Sequence, residues 1–178
     1  MEGELIRTAL PPYILALDQA TRTGWACVLA ATGQVVRSGV FDCRGGRSAA
    51  GESRGMRFLR FATWLDGLVQ PSPPVLVCHE QTISPCMAGR GSSWATSDVA
   101  AGLKGLIETA AARAGVPVTS VCPATLKKWA TGSGRAGKPE MIRAARERTG
   151  IEPRDDNEAD AILIGLWAFE TYRAGLNA

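Results

Sequence analysis

The chain has 178 residues, a length that usually forms one domain of about 100 to 200 residues. Hydrophobic residues make up 46% of it and charged residues 21%, which is ordinary globular composition and excludes a disordered or fibrous protein. No apolar run approaches the roughly 18 residues of a membrane-spanning helix, and the first residues lack the pattern of a secretory signal. We therefore expect one cytoplasmic domain over residues 1–178, with a loose N-terminal tail at 1–12.

Positive charge is concentrated in two stretches, although the formal net charge is only +3. Six arginines stand against two acidic residues between Arg37 and Arg60, and seven basic residues stand against two acidic residues between Lys127 and Arg148. Because phosphate neutralisation supplies most of the sequence-independent affinity for nucleic acids, this distribution favours a polyanionic partner. Two solvated helix faces would produce the same pattern.

Apolar periodicity predicts the secondary structure: short runs bounded by Gly and Pro indicate strands, and longer runs with a 3.6-residue period indicate helices. The predicted elements in chain order are strands over 13–17, 24–30 and 34–41, a helix over 56–69, a strand over 75–78, a helix over 94–113, a strand over 116–121, and helices over 124–130, 139–148 and 157–172. Strands joined by short turns pair antiparallel, and strands joined by helices pair parallel. The sequence therefore predicts an α/β fold with a mixed five-stranded sheet flanked by helices.

Acidic residues follow two of the predicted strands and open the last predicted helix. Asp18 follows the first strand, and Glu80 follows the fourth. Asp160 lies three residues after Asn157 and four after Asp156, so all three can share one face of the last helix. Each acid alone could be a helix cap or a dipole partner. The last helix is apolar enough to lie buried against the sheet, and several carboxylates beside it would need a cation to offset their charge. Together the acids therefore indicate a site for a hard cation such as Mg²⁺, which prefers oxygen ligands.

Four segments occur in the order of the motifs of a known family. They are LDQATRTGWA from Leu17, VCHEQ around Glu80, the basic segment LKKWATGSGRAGK from Leu126, and NEADAILIGL from Asn157. These segments resemble the motifs of the RuvC-type Holliday junction resolvases, which have an RNase H-like fold, and the similarity covers most of the chain from Tyr13 to Trp167. The resemblance implies an endonuclease that cleaves branched DNA, especially four-way junctions, with two Mg²⁺ or Mn²⁺ ions in each active site.

The resemblance also implies which residues hold the metal ions. Asp18, Glu80 and Asp160 match the family's catalytic acids. The family usually has a fourth ligand three residues before its last aspartate, where this chain has Asn157. Either the carbonyl oxygen of Asn157 or the carboxylate of Asp156 could provide that ligand.

The basic segment implies contacts with DNA phosphates. Lys127 and Lys138 match the paired lysines of the family's DNA-binding segment, and Lys128 and Arg135 are second choices. These four residues are therefore the predicted DNA-binding residues.

The near two-fold symmetry of a four-way junction predicts a symmetric homodimer that makes two matched cuts. The candidate dimer surfaces are the apolar sides of the predicted helices 56–69 and 94–113, although intramolecular packing explains at least half of these residues. The residues concerned are Phe58, Phe61, Trp64, Trp94, Leu103 and Leu106.

Two other functions agree with parts of the sequence. Asn157 at a ligand position also suits an RNase H-like module that binds DNA but has weak or no cleavage activity. The acid, Thr and Gly residues from Asp18 to Gly24 resemble the opening turn of actin-like and sugar-kinase-type nucleotide-binding proteins. Length argues against this second alternative, because those proteins need two lobes and a second phosphate-binding turn.

Overall fold

The computed structural model describes residues 10–45, 53–82 and 94–176, without the side chains of 94–97, 174 and 176. Its elements are β1 (Tyr13–Asp18), β2 (Arg22–Leu29), β3 (Val35–Asp42), α1 (Arg54–Val69), β4 (Leu76–Glu80), α2 (Trp94–Arg113), β5 (Val118–Val121), α3 (Pro123–Thr131), α4 (Lys138–Thr149) and α5 (Asp156–Leu176). The predicted order is confirmed. The largest difference is at the end of α5, which continues four residues beyond the predicted helix because Arg173 to Leu176 contain no helix-breaking proline.

The five strands form one mixed sheet in the order β3-β2-β1-β4-β5. β1 pairs antiparallel with β2, and β2 pairs antiparallel with β3, as expected for strands joined by short turns. β4 pairs parallel with β1 and with β5, since helices form these connections. The predicted mixed sheet is therefore confirmed.

The sheet separates two hydrophobic cores. Ile14 and Ala16 of β1 lie in the core that α3, α4 and α5 form on one face. Leu15 and Leu17 lie in the core that α1 and α2 form on the other face. This division follows from the strand geometry, because successive side chains of a strand point to opposite faces. The apolar run of β1 is uninterrupted because both faces are covered.

The residues proposed for a dimer surface lie mainly in the molecule's own core. Phe61 and Leu103 are fully buried between α1, α2 and the sheet. Three more pack at the rim of the same core, whereas the side chain of Trp94 lies outside the described residues; the three are Phe58, Trp64 and Leu106. Among the helices of the described ranges, none is long and apolar enough to cross a membrane.

Candidate active site

The ends of two neighbouring strands bring Asp18 and Glu80 to the same edge and face of the sheet. β1 and β4 run parallel, and Leu17 pairs with His79, so the two acids lie one residue beyond that pair. Alternation places Asp18 on the same face as Ala16, and that face is covered by α5. Glu80 shares the face of Cys78, which belongs to the same core. Both carboxylates therefore point to the α5 side.

The first turn of α5 lies directly against this edge. Asp18 pairs with Gly24 across β1 and β2. A Cβ atom at Gly24 would stand 1.8 Å from the backbone oxygen of Asn157, so only glycine allows the helix to approach so closely. The approach brings Asp156 and Asp160 of α5 to the strand-terminal acids.

Glu158 points away from this group and fixes the helix to the rest of the fold. Its buried carboxylate accepts hydrogen bonds from Ser38 Oγ of β3, at 2.7 Å, and from the backbone nitrogen of Arg154, at 2.8 Å. A buried carboxylate with two such donors is satisfied without a cation. Glu158 is therefore structural.

The carboxylates of the site raise one another's pKa values. Burial, followed by the charges of Glu80 and Asp160, raises the pKa of Asp18 well above its usual value. Burial and the charge of Asp160 raise the pKa of Glu80 to about 7. The pKa of Asp160 is raised to about 6, chiefly by burial. Like charges act in this way only at short range, so the three predicted acids form one electrostatic group.

The donor set suits a hard divalent cation. All three acids offer carboxylate oxygens, and the Oδ1 atom of Asp160 is buried without a hydrogen-bond partner. A cation would compensate for both the unpaired oxygen and the mutual repulsion. Within the described ranges, no three His, Cys, Asp or Glu side chains are arranged to hold a metal ion.

The two candidates for a fourth ligand differ in their present partners. Asp156 forms an ion pair with Lys138, at 2.5 Å, and this lysine lowers the pKa of the Asp156 carboxyl. The Nδ2 atom of Asn157 donates to Asp155 at 3.5 Å, a long contact. The charge of Asp156 also raises the pKa values of Asp18 and Asp160, so this carboxylate lies within electrostatic range of both. Both candidates remain predictions.

Two of the four predicted basic residues lie beside the acids. The charge of Lys127 lowers the pKa values of Glu80 and Asp160, which opposes the effect of burial. Lys138 pairs with Asp156. The other two, Lys128 on α3 and Arg135 on the following loop, are exposed. The basic segment therefore borders the acidic group along α3 and the start of α4.

Two residues near the acids were not singled out from the sequence. Gln19 is buried, and its amide donates to the backbone oxygen of Glu80 at 2.6 Å. Arg22 forms an ion pair with Asp155 at 2.7 Å and is half exposed at the rim of the site. A polar residue directly after Asp18, at the end of an apolar strand, was the available signal for Gln19. Nothing local marks Arg22, since its partner is 133 residues away.

An open mixed sheet with carboxylates at the adjoining ends of two strands, faced by the first turn of a C-terminal helix, defines the RNase H-like class of folds. A solved structure of T. thermophilus RuvC, 22% identical, has the same fold with a TM-score of 0.74 and covers 93% of this chain and 97% of that one. The predicted fold class is therefore confirmed.

Sequence comparison identifies the family. A crossover junction endodeoxyribonuclease RuvC from Anaeromyxobacter sp. strain K is 37% identical over 62% of this chain, but the match spans only 56% of that relative. The RuvC protein of Anaeromyxobacter sp. strain Fw109-5 is 34% identical over 85% of this chain and 70% of the relative. No family model matches the chain. The chain belongs to the RuvC family, which leaves the nucleotide-binding alternative without support.

Proposed function

We propose that this chain is a divalent-metal-dependent endonuclease that cleaves branched DNA and resolves four-way junctions by paired phosphodiester hydrolysis. The observation that carries the proposal is the convergence of Asp18, Glu80 and Asp160 into one buried, mutually repelling group. Family membership supports it, since the relatives are named as crossover junction endodeoxyribonucleases. The T. thermophilus structure contains RuvC with a Holliday junction substrate. We also infer one nuclease domain acting in the bacterial cytoplasm, where DNA is accessible.

The three acids would hold the catalytic cations, two Mg²⁺ or Mn²⁺ ions by the family resemblance. When bound, such cations supply the Lewis acidity that activates water and stabilises the leaving 3′ oxygen. Asp18, Glu80 and Asp160 contribute anionic oxygens from two strand ends and a helix, which are rigid elements. Because carboxylates ligate in the deprotonated form, their raised pKa values mean that cation binding displaces protons from the site.

The two lysines would bind the DNA backbone next to the acids. Lys127 stands close enough to influence both Glu80 and Asp160, so a phosphate bound there lies beside the reacting group. The exposed ammonium group of Lys138 is held by Asp156. A DNA phosphate can replace Asp156 on Lys138, and this exchange releases the carboxylate toward the metal site. Lys128 and Arg135 would extend the contact along the strand.

We infer a homodimer for the complete activity, because paired cuts in a nearly two-fold symmetric junction need two active sites. Met56 and Leu59 of α1 are large apolar side chains with substantial exposure, 41% and 58%. These two side chains are three residues apart and therefore share one side of the helix, which supports an interface on α1. Light scattering at micromolar concentration tests this inference, since a strictly monomeric protein that still made paired symmetric cuts would overturn it.

The experiment that tests the function offers the purified protein four substrates with Mg²⁺ or Mn²⁺: a four-way junction, a flap, a splayed arm and an RNA/DNA hybrid. The proposal predicts metal-dependent cleavage, fastest on the four-way junction and leaving 5′ phosphates. Faster cleavage of flaps or splayed arms would show that the preferred substrate is branched DNA in general and not the four-way junction. Preferential cleavage of the hybrid would contradict the proposed substrate class.

A second candidate function is an RNase H-like module that binds branched DNA with weak or no cleavage. Asn157 at the fourth ligand position favours it, since an amide carbonyl gives a metal site less negative charge than a carboxylate. The same assay distinguishes the two functions. Tight binding to the junction without cleavage in either metal would support the binding module.

A further inference from the structure

Gln19 connects the two strands that carry the proposed catalytic acids. We propose that Gln19 is a positioning residue, which holds the Glu80 backbone against the end of β1 so that Asp18 and Glu80 converge on the same cations. The inference deepens the proposed function and rests on it. Gln19 itself touches neither the cations nor the reacting atoms.

The contacts of the Gln19 amide define its orientation. Nε2 donates to the backbone oxygen of Glu80 at 2.6 Å and reaches Thr82 Oγ1 at 3.3 Å. Because a backbone carbonyl can only accept, the amide nitrogen and not the amide oxygen must face Glu80. The same carbonyl lies 2.8 Å from Nδ1 of His79, which must carry a proton for this hydrogen bond to form. The carbonyl of Glu80 is thus held by two donors.

The hydrogen bond from Gln19 holds the backbone of Glu80 at a point beyond the last residue pair of β1 and β4. On the β5 side, Glu80 is paired with Val121. On the β1 side, the paired residues end at Leu17 and His79, one position before the acids. The Gln19 amide therefore extends the connection between β1 and β4 past the end of the strand pairing.

Gln19 contacts Glu80 through its backbone oxygen. Gln19 directly follows β1, and its amide nitrogen donates to the backbone oxygen of Glu80 and to Thr82 Oγ1. The effect of Gln19 on the site is therefore transmitted through the backbone at the end of β4.

Stability alone does not explain a glutamine at this position. The side chain is buried, with 7% exposure, and its Oε1 atom has no hydrogen-bond partner. A buried acceptor without a partner is unfavourable, so the residue carries a cost that an apolar side chain would avoid. The benefit lies in the donor that Nε2 presents to Glu80.

The test uses Gln19→Met, which keeps the length of the side chain and removes the donor, with Gln81→Met as the matched control. Gln81 is exposed one residue after Glu80, so the control makes the same chemical change at the same strand end. Calorimetric titration with Ca²⁺ measures metal binding without turnover, and cleavage over a Mg²⁺ series gives the half-saturating concentration. Junction affinity in the absence of metal and the melting temperature are also measured for the wild type and both variants.

For Gln19→Met we expect Ca²⁺ affinity to fall about 10-fold or more, which is the usual effect of losing a residue that orients a ligand. The half-saturating Mg²⁺ concentration should rise by a similar factor, and excess metal should restore most of kcat. Junction affinity and all properties of Gln81→Met should stay at the wild-type level. Unchanged metal binding in Gln19→Met would overturn the proposal.

Two further outcomes distinguish loss of the proposed role of Gln19 from a folding defect and from failure of the proposed function. If Gln19→Met does not fold, Gln19→Asn keeps an amide but shortens its reach, and the same loss of Ca²⁺ affinity is expected. Failure of both variants to fold would give Gln19 a structural role and overturn the proposal. Wild-type protein that neither binds Ca²⁺ nor cleaves DNA would instead contradict the proposed function.

Discussion

Gly24 of β2 and Asn157 of α5 are in such close contact that a Cβ atom at position 24 would lie 1.8 Å from the Asn157 backbone oxygen. Gly24 is also the strand partner of Asp18. A single glycine therefore lets the helix that carries Asp160 reach the strand that carries Asp18. The proposed active site therefore depends on this contact as well as on its acids.

Gly24→Ala should displace the start of α5 and lower the free energy of unfolding by about 2 kcal/mol or more, because the clash is with backbone that cannot rotate away. Gly67→Ala is the control: a Cβ at this position of α1 meets nothing within 4 Å, so the change should stabilise the protein by roughly 0.5–1 kcal/mol. Urea denaturation measures both. Equal stability of the two variants would contradict the contact.

Asp18→Asn and Glu80→Gln should each reduce junction cleavage by at least ~100-fold while leaving DNA binding largely intact, since each change removes a proposed metal ligand and keeps the shape of the side chain. Asp66→Asn provides a control with the same chemistry on α1, where Asp66 pairs with Arg113 at the surface. Single-turnover cleavage and binding are compared at one metal concentration. Wild-type cleavage by either active-site variant would show that the site lies elsewhere.

The raised pKa values predict how pH changes the stability of the metal-free protein. Folding raises the pKa of Glu80 from 4.5 to about 7, so the folded state holds this proton more tightly than the unfolded chain does. The stabilisation is complete below the unfolded pKa and is lost as the pH rises through about 7. Asp160, with a pKa of about 6, acts in the same direction.

Glu80→Gln should therefore be more stable than the wild type near pH ~8 in EDTA, by roughly 1–3 kcal/mol, because one pKa unit corresponds to about 1.4 kcal/mol. The advantage should shrink toward pH ~4, where the wild-type carboxyl is protonated. Denaturant titrations across this pH range measure the difference. A constant difference between the two proteins would contradict the burial of an ionisable Glu80.

Lys127→Ala and Lys138→Ala should weaken junction binding and reduce its salt dependence by about one counterion each. Lys104→Ala is the control, since Lys104 pairs with Glu108 on α2. Lys127→Ala should also shift the acidic limb of the pH–rate profile to higher pH, because Lys127 lowers the pKa values of Glu80 and Asp160. Affinity unchanged over a salt titration would mean that these lysines form only a solvated face.

The sequence predicted those features that depend on local patterns. Alternating and 3.6-residue periodicities placed the elements, and the positions of Asp18 and Glu80 after apolar strands were visible without tertiary information. The proposed role of Gln19 and the close contact of Gly24 could not be predicted in this way. Gln19 bonds a residue 61 positions away, and Gly24 is constrained by the first turn of α5, so both depend on how separate elements pack.

Mapping the cuts in a four-way junction, with each strand labelled in turn and with purified protein and Mg²⁺ or Mn²⁺, tests whether this chain resolves junctions. The proposed function predicts 5′-phosphate products from two cuts placed symmetrically in opposing strands, and no cleavage in EDTA or by Asp18→Asn. Junction binding without cleavage in either metal, or cleavage that Asp18→Asn retains, would contradict the assignment of this site as a junction-resolving nuclease centre.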